Sequence, residues 1–297
     1  MIGIFDSGLG GLTILRALTA RFPQQAFLYL GDHAHAPYGD RASAEVVSLT
    51  RAGVAQLFAL GARLVVLGCN TATAVALRTL QRDWLPHAGL SGRNVVGIVA
   101  PTVEAATQTP WAVTKPQYPQ KNNREVIAVF GTTRTIESGV YAEEIRKRCP
   151  RVRVVQQACS GLAAAIEAAR PAAELDAIVA DSVAAMLTQL SGKTPGSRAP
   201  DQHAPDRAIL GCTHFSLVEK LFHENLPAGV RILSQPEIVA DSFEDYLVRH
   251  PEYAASDGPP GVRLLTTGDP EQVLRAAAVF WAGVPRFERV SESMRGL

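Results

Sequence analysis

Residues 2–22 read IGIFDSGLGGLTILRALTARF. An apolar, partly β-branched run comes first, a Gly-rich turn follows, and LTILRALTARF then repeats its apolar residues at helical spacing. The stretch therefore spells strand, turn, helix. Similar runs recur: FLYLG (27–31), RLVVLG (63–68), NVVGIV (94–99), VIAVFG (126–131), VRVVQQA (152–158), AILG (208–211), VRIL (230–233) and VRLLTTG (262–268). Between most of them lie helical patterns such as AEVVSLTRAGVAQLFALG and IESGVYAEEIRKRC. Strand and helix in alternation predict an α/β fold with mostly parallel sheets covered on both faces.

The pattern is also duplicated. IGIFDSGLGG (2–11) pairs with IAVFGTTRTIESG (127–139), and VVLGCNT (65–71) pairs with AILGCTH (208–214). Two related α/β halves would each place a cysteine at the carboxyl end of a strand, where α/β sheets bind ligands. The expected result is one cleft with a thiol from each side. We divide the chain into a discontinuous first domain, 1–98 plus 215–297, and a second domain, 99–214. SGKTPGSRAPDQHAPDR (191–207) reads as a long surface loop, and TPWAVTKPQYPQKNN (109–123) as another that either connects the domains or sits at their rim.

Composition narrows the partners. Of 297 residues 47% are apolar, enough to supply a core, and the formal net charge is only +1. No run of Lys or Arg longer than Arg146-Lys147-Arg148 and no interleaving of basic and aromatic residues is present, which argues against a nucleic-acid partner or a membrane surface. A small-molecule partner is expected. MIGIFDSG lacks a basic leader, and charged residues interrupt every apolar stretch before the roughly 18–20 residues of a spanning helix. Cytoplasmic localisation is the expectation. The four cysteines, Cys69, Cys149, Cys159 and Cys212, show no CxxC spacing and are expected to be thiols.

Cys69 ends an apolar strand and precedes NTATAVALRTLQ, a helical pattern with good capping residues, so its thiol would meet the positive end of a helix dipole. Cys212 is placed similarly and is followed by Thr213 and His214, an imidazole able to relay a thiol proton. CxH and the HAH of 33–35 lack further ligands at metal-site spacing, so no metal is expected. SGLGGL suggests a dinucleotide turn, with Asp32 where a ribose-binding acid would stand. Thr13 nevertheless occupies the third glycine position, and Asp6 would set negative charge beside a pyrophosphate. That turn better suits a small zwitterion, with Ser7 and backbone N–H groups for a carboxylate and Asp6 for an ammonium or a thiol proton. SGKT (191–194) is no P-loop, because Leu187 replaces its first glycine, and no lysine ends an apolar strand to hold pyridoxal phosphate. No cofactor is expected. Tyr38, beside Gly39, could hydrogen-bond a ligand, and Thr132 and Thr135 occupy in the second half the place of Ser7 in the first.

FDSGLGGLTIL, YLGDHAHAPYGDR, LGCNTATA, VFGTTRTIESGVY, ACSGLAAAIE and LGCTHFSLV, in this order, resemble the glutamate racemase family of the cofactor-independent aspartate/glutamate racemases. The resemblance spans most of the chain. It implies two α/β domains related by a pseudo-twofold axis with the active site between them, and interconversion of L- and D-glutamate that supplies D-glutamate for peptidoglycan and the cell wall. It implies Cys69 and Cys212 as paired acid and base, Asp6 assisting the first, and His214 and Glu167 the second. Asp6, Ser7, Tyr38, Gly39, Asn70, Thr71, Thr213 and His214 would bind substrate. Two segments depart from the family pattern: SGLAAA follows Cys159 where a Pro and bulky apolar residues are usual, and FSL follows His214 in place of Tyr-Pro-Leu.

Inverting an α-amino acid removes a weakly acidic Cα proton from one face and returns one to the other, which two fixed groups do without any swing of a single base. The repeated LGC would supply those groups. Three readings stay open at this level: a glutamate racemase, a racemase of aspartate or another acidic amino acid, and a non-catalytic amino-acid sensor. A homodimer is compatible with all three.

Overall fold

The computed structural model describes residues 1–113, 115–119, 125–191, 204–254 and 259–290. Strand β1 (Ile2–Asp6) is buried at every position, as a parallel strand covered on both faces must be. Helix α1 (Gly11–Arg21), β2 (Ala26–Gly31), α2 (Ser43–Ala59), β3 (Leu64–Leu67), α3 (Asn70–Thr79) and β4 (Asn94–Gly97) follow it. After β4 come α4 (Val99–Thr107), β5 (Val126–Gly131), α5 (Thr133–Glu137), α6 (Val140–Arg148), β6 (Arg153–Ala158), α7 (Leu162–Glu167) and α8 (Ala172–Ser191). The chain continues through β7 (Arg207–Gly211), α9 (Glu219–Asn225), β8 (Arg231–Leu233), α10 (Gln235–Arg249), α11 (Pro251–Ala254), β9 (Gly261–Thr266), α12 (Pro270–Ala277) and β10 (Phe287–Arg289).

These elements form two units, Met1–Ile98 with Pro236–Leu297, and Val99–Gln235. The first holds a six-stranded sheet in the order β10-β9-β2-β1-β3-β4, the second a four-stranded sheet in the order β6-β5-β7-β8. Every pairing in both is parallel. In the first sheet Ile4 stands opposite Tyr29 on one side and Val66 on the other. Phe5, Val54, Leu57, Phe58 and Leu67 pack into one buried cluster on a face of this sheet. Gly53 lets α2 lie against that face: a Cβ there would stand 2.1 Å from Cε2 of Phe5. In the second unit all of β5 is buried, and Phe222 of α9 packs on Phe130 of β5 with ring centroids 5.2 Å apart.

Three expectations change. The chain returns to the first unit at Pro236 rather than at 215, because β8 pairs with β7, Ala208 opposite Ile232, and so keeps 215–235 in the second unit. Strand β10 went unpredicted. The described residues of the 109–123 loop belong to the second unit, so the loop does not connect the two domains. Its Trp111 is anchored there, its N–H 2.6 Å from Oε1 of Glu104, its carbonyl accepting from Arg148 at 2.7 Å, and its ring 4.1 Å beneath that guanidinium. Residues 114 and 120–123 of that loop, and 192–203 of the loop predicted over 191–207, lie outside the described residues. Among the described residues no helix is long and apolar enough to cross a membrane.

Candidate active site

In the first unit the expected residues gather at the carboxyl ends of β1 and β3 and in the turn beyond β2. Cys69 is the N-cap of α3, and its buried Sγ accepts from the Ala72 N–H at 3.4 Å. A helix N-terminus favours negative charge, so this sulfur sits where a thiolate is stabilised. The Ser7 hydroxyl lies 3.4 Å away. Asp6 closes β1, buried, with Oδ2 accepting from the Gly8 N–H at 3.0 Å and the Tyr29 hydroxyl 3.4 Å away. The last glycine of DSGLGG makes room for it: a Cβ on Gly11 would stand 2.6 Å from Cβ of Asp6. Asn70 and Thr71 are buried in the first turn of α3.

Tyr38 and Gly39 are buried in a short 3-10 turn, Tyr38–Asp40. The Tyr38 hydroxyl donates to Oδ2 of buried Asp32 at 2.6 Å, while Oδ1 of Asp32 accepts from the Thr267 hydroxyl at 2.7 Å and lies 2.8 Å from Nδ1 of His35. Burial, then the Asp32 charge and its hydrogen bond, and then the charges of Cys69 and Asp6 push the Tyr38 pKa far up, so Tyr38 is a neutral donor. The sequence reading set Asp32 aside with the dinucleotide idea. Its signal was there: an aspartate after β2 matches Asp6 at the end of β1, and the structure uses it to hold Tyr38.

In the second unit Cys212 follows β7, with Sγ 3.6 Å from Nδ1 of His214. Nε2 of His214 lies 2.7 Å from Oε1 of Glu167, the last residue of α7. Sulfur, imidazole and carboxylate thus form a chain running from the buried thiol toward a carboxylate side chain that is 30% exposed. Burial lowers the His214 pKa, but the charge of and hydrogen bond to Cys212, and then the hydrogen bond to and charge of Glu167, outweigh it and raise the pKa well above 6.5. The raised pKa favours the imidazolium form of His214 beside the Cys212 sulfur. Thr213 is buried next to them.

The setting of Cys69 is not repeated at Cys212. Thr213–Val218 is a 3-10 helix leading into α9, and the Cys212 side chain accepts no cap hydrogen bond. The imidazole supplies here what the helix N-terminus supplies at Cys69. The Thr132 hydroxyl caps α5, accepting from the Thr135 N–H at 3.3 Å and donating to the Thr135 hydroxyl at 3.0 Å, and Thr135 is fully buried. The departures from the family pattern have local reasons. Phe215 is a core residue against Phe222, centroids 5.8 Å apart. Gly161 takes a φ of +80° to start α7, a conformation that glycine adopts at no steric cost.

All four cysteines are buried and none is in a disulfide. Among the described residues no group of three or more His, Cys, Asp or Glu side chains is placed to hold a metal ion. The first unit offers a thiol, hydroxyls, carboxylates and backbone N–H groups, and the second a thiol, an imidazole and a carboxylate, groups suited to moving a proton and holding a small zwitterion.

No protein-family model matches the chain. A glutamate racemase of Phenylobacterium zucineum is 46% identical over 292 residues, covering 97% of this chain and 99% of the relative. That of a Caulobacter species is 46% identical over 291 residues, with coverage of 97% and 99%. Among solved structures, a glutamate racemase isoform of Bacillus anthracis superposes with a TM-score of 0.80 at 28% identity, covering 98% of this chain and 97% of that one. A Thermus thermophilus glutamate racemase in complex with β-chloro-D-alanine gives a TM-score of 0.71 at 28% identity, with coverage of 99% and 97%.

Proposed function

Since the chain belongs to the glutamate racemase family, and so is an isomerase that racemises amino acids, we propose that it inverts glutamate with two cysteines, Cys69 and Cys212. One presents a thiolate to one face of Cα and the other a thiol to the opposite face, and their roles exchange with the direction of reaction. The observation that carries this reading is that each thiol ends a parallel strand beside its own proton-handling group: the helix N-terminus and Ser7 at Cys69, the His214–Glu167 pair at Cys212.

The chemistry follows from the partners. Abstraction by Cys69 needs its thiolate, which the Ala72 N–H and the α3 dipole stabilise, while Asp6 nearby takes or returns a proton. Donation by Cys212 to the opposite face leaves a thiolate that imidazolium His214 neutralises, with Glu167 holding the imidazole in position. The α-carboxylate and ammonium are bound by Ser7, Asn70, Thr71, Thr213, Tyr38 and Gly39 together with Asp6 and His214. Preorganised N–H and O–H donors on the carboxylate stabilise the carbanion without an electron sink. The binding of β-chloro-D-alanine by the Thermus thermophilus relative supports a small amino acid as ligand. We assign the enzyme to D-glutamate supply for peptidoglycan in the cytoplasm.

The test is the optical activity of L-glutamate followed with the purified enzyme. Decay toward zero is expected, and Cys69→Ala and Cys212→Ala should each abolish it. Near-normal inversion by either variant would refute the two-thiol mechanism, and an optical rotation that never decays with the native chain would refute the activity.

A further inference from the structure

Tyr141 of α6 is fully buried in the second unit. Nε2 of Gln235 lies 3.1 Å from its hydroxyl and 2.9 Å from the hydroxyl of Thr102. Thr102 is fully buried as well, and Gln235 is 2% exposed. Side chains from α4, α6 and the first residue of α10 thus hold polar atoms out of water by satisfying one another. Phenylalanine at 141 and an aliphatic residue at 235 would fill the same space without desolvating a hydroxyl and an amide. What the polar trio adds is a single fixed place for the Tyr141 ring.

That ring lies against the end of β7. A Cβ built on Gly211 would stand 3.2 Å from Cε2 of Tyr141 and 3.0 Å from the carbonyl oxygen of Phe130, so this backbone is held between β5 and the phenol. The next residue is Cys212. Burial chiefly raises the Tyr141 pKa, and the charge of Cys212 adds to it, which puts the phenol within electrostatic reach of that thiol.

We propose that Tyr141 and Gln235 are positioning residues for Cys212: through the clamped Gly211 they fix where its sulfur stands relative to His214 and to the substrate Cα. The inference rests on the two-thiol reading. Neither residue touches the reacting atoms, so their loss should change the step at Cys212 and spare the step at Cys69.

The experiment measures kcat, KM and the primary isotope effect with Cα-deuterated L- and D-glutamate. When the step at Cys212 slows, the enantiomer that Cys212 deprotonates shows a larger isotope effect and its mirror image a smaller one, because the slow step carries deuterium only in the first case. Tyr141→Phe is expected to lower kcat by about fivefold, the weight of one hydrogen bond, with little change in KM. Its isotope effects should split in the same sense as those of His214→Asn and in the opposite sense to those of Ser7→Ala. Gln235→Met, which keeps the side-chain length and removes the amide, should split them the same way and carries the test should Tyr141→Phe fail to fold. If both variants lose thermal stability while the two isotope effects stay at native values, the residues only pack and the proposal is overturned. If His214→Asn itself leaves the two enantiomers symmetric, the two-thiol reading is what fails.

Discussion

At the scale of single residues, the two cysteines have different polar partners. Cys69 relies on backbone N–H groups, which do not titrate, and Cys212 on an imidazole, which does. Glu167 is one of the groups that raise the His214 pKa, so Glu167→Gln should lower it, and a histidine NMR titration should show the His214 resonance moving to a lower midpoint. The alkaline limb of the kcat profile should move down with it. An unchanged midpoint would separate Glu167 from the relay. The sign for stability follows from linkage. A pKa raised on folding stabilises fully below the ordinary value of 6.5 and loses that contribution as pH rises through the folded value. The stability deficit of His214→Asn, read by urea unfolding across pH, should therefore be largest below about 6.5 and shrink on the alkaline side. Cys69, Cys212 and His214 were legible because each stands beside a glycine or strand end in the sequence. Glu167 was not legible in that way: its partner lies 47 residues along the chain, and only the family resemblance pointed to it.

Elements are placed by their glycines as much as by their apolar residues. Gly53 brings α2 onto Phe5, so Gly53→Ala drives a methyl into the ring at 2.1 Å and should cost about 1–3 kcal/mol of stability, seen as a lower Tm. Gly11→Ala sets a methyl 2.6 Å from Cβ and 2.9 Å from Cγ of Asp6 and should reduce activity more than stability, because the side chain displaced is the one proposed to assist Cys69. A Gly11→Ala enzyme with native kcat would remove Asp6 from the mechanism. The longer strands could be read from sequence because parallel strands buried on both faces are continuous apolar runs. FER of β10 could not: it spans three residues, two of them charged and exposed, and belongs to the sheet only through pairing with β9. The 3-10 helix after Cys212 was equally hidden, since Thr213–Val218 carries the same apolar residues an α-helix would.

For the whole molecule, the decisive fact is that the first unit is built from two separated stretches of chain. Strand β2 pairs with β9 over six positions, Ala26 to Gly31. A chain ending at residue 235 would leave β2 an open apolar edge, and it should aggregate or remain unfolded rather than yield a stable first unit. A monomeric, cooperatively folding 1–235 fragment would contradict this. The return point of the chain escaped sequence reading for a related reason: VRIL of β8 is apolar enough for either sheet, and only its pairing with β7 assigns it to the second. Each unit then contributes one thiol to the proposed reaction, and the measurement that tests this most directly is NMR of L-glutamate turning over in deuterium oxide. At early times the account predicts D-glutamate carrying deuterium at Cα, donated by a solvent-exchanged thiol, while the remaining L-glutamate keeps its hydrogen. Newly formed D-glutamate that retains the original Cα hydrogen would mean that a single group carries the proton across, and would contradict it.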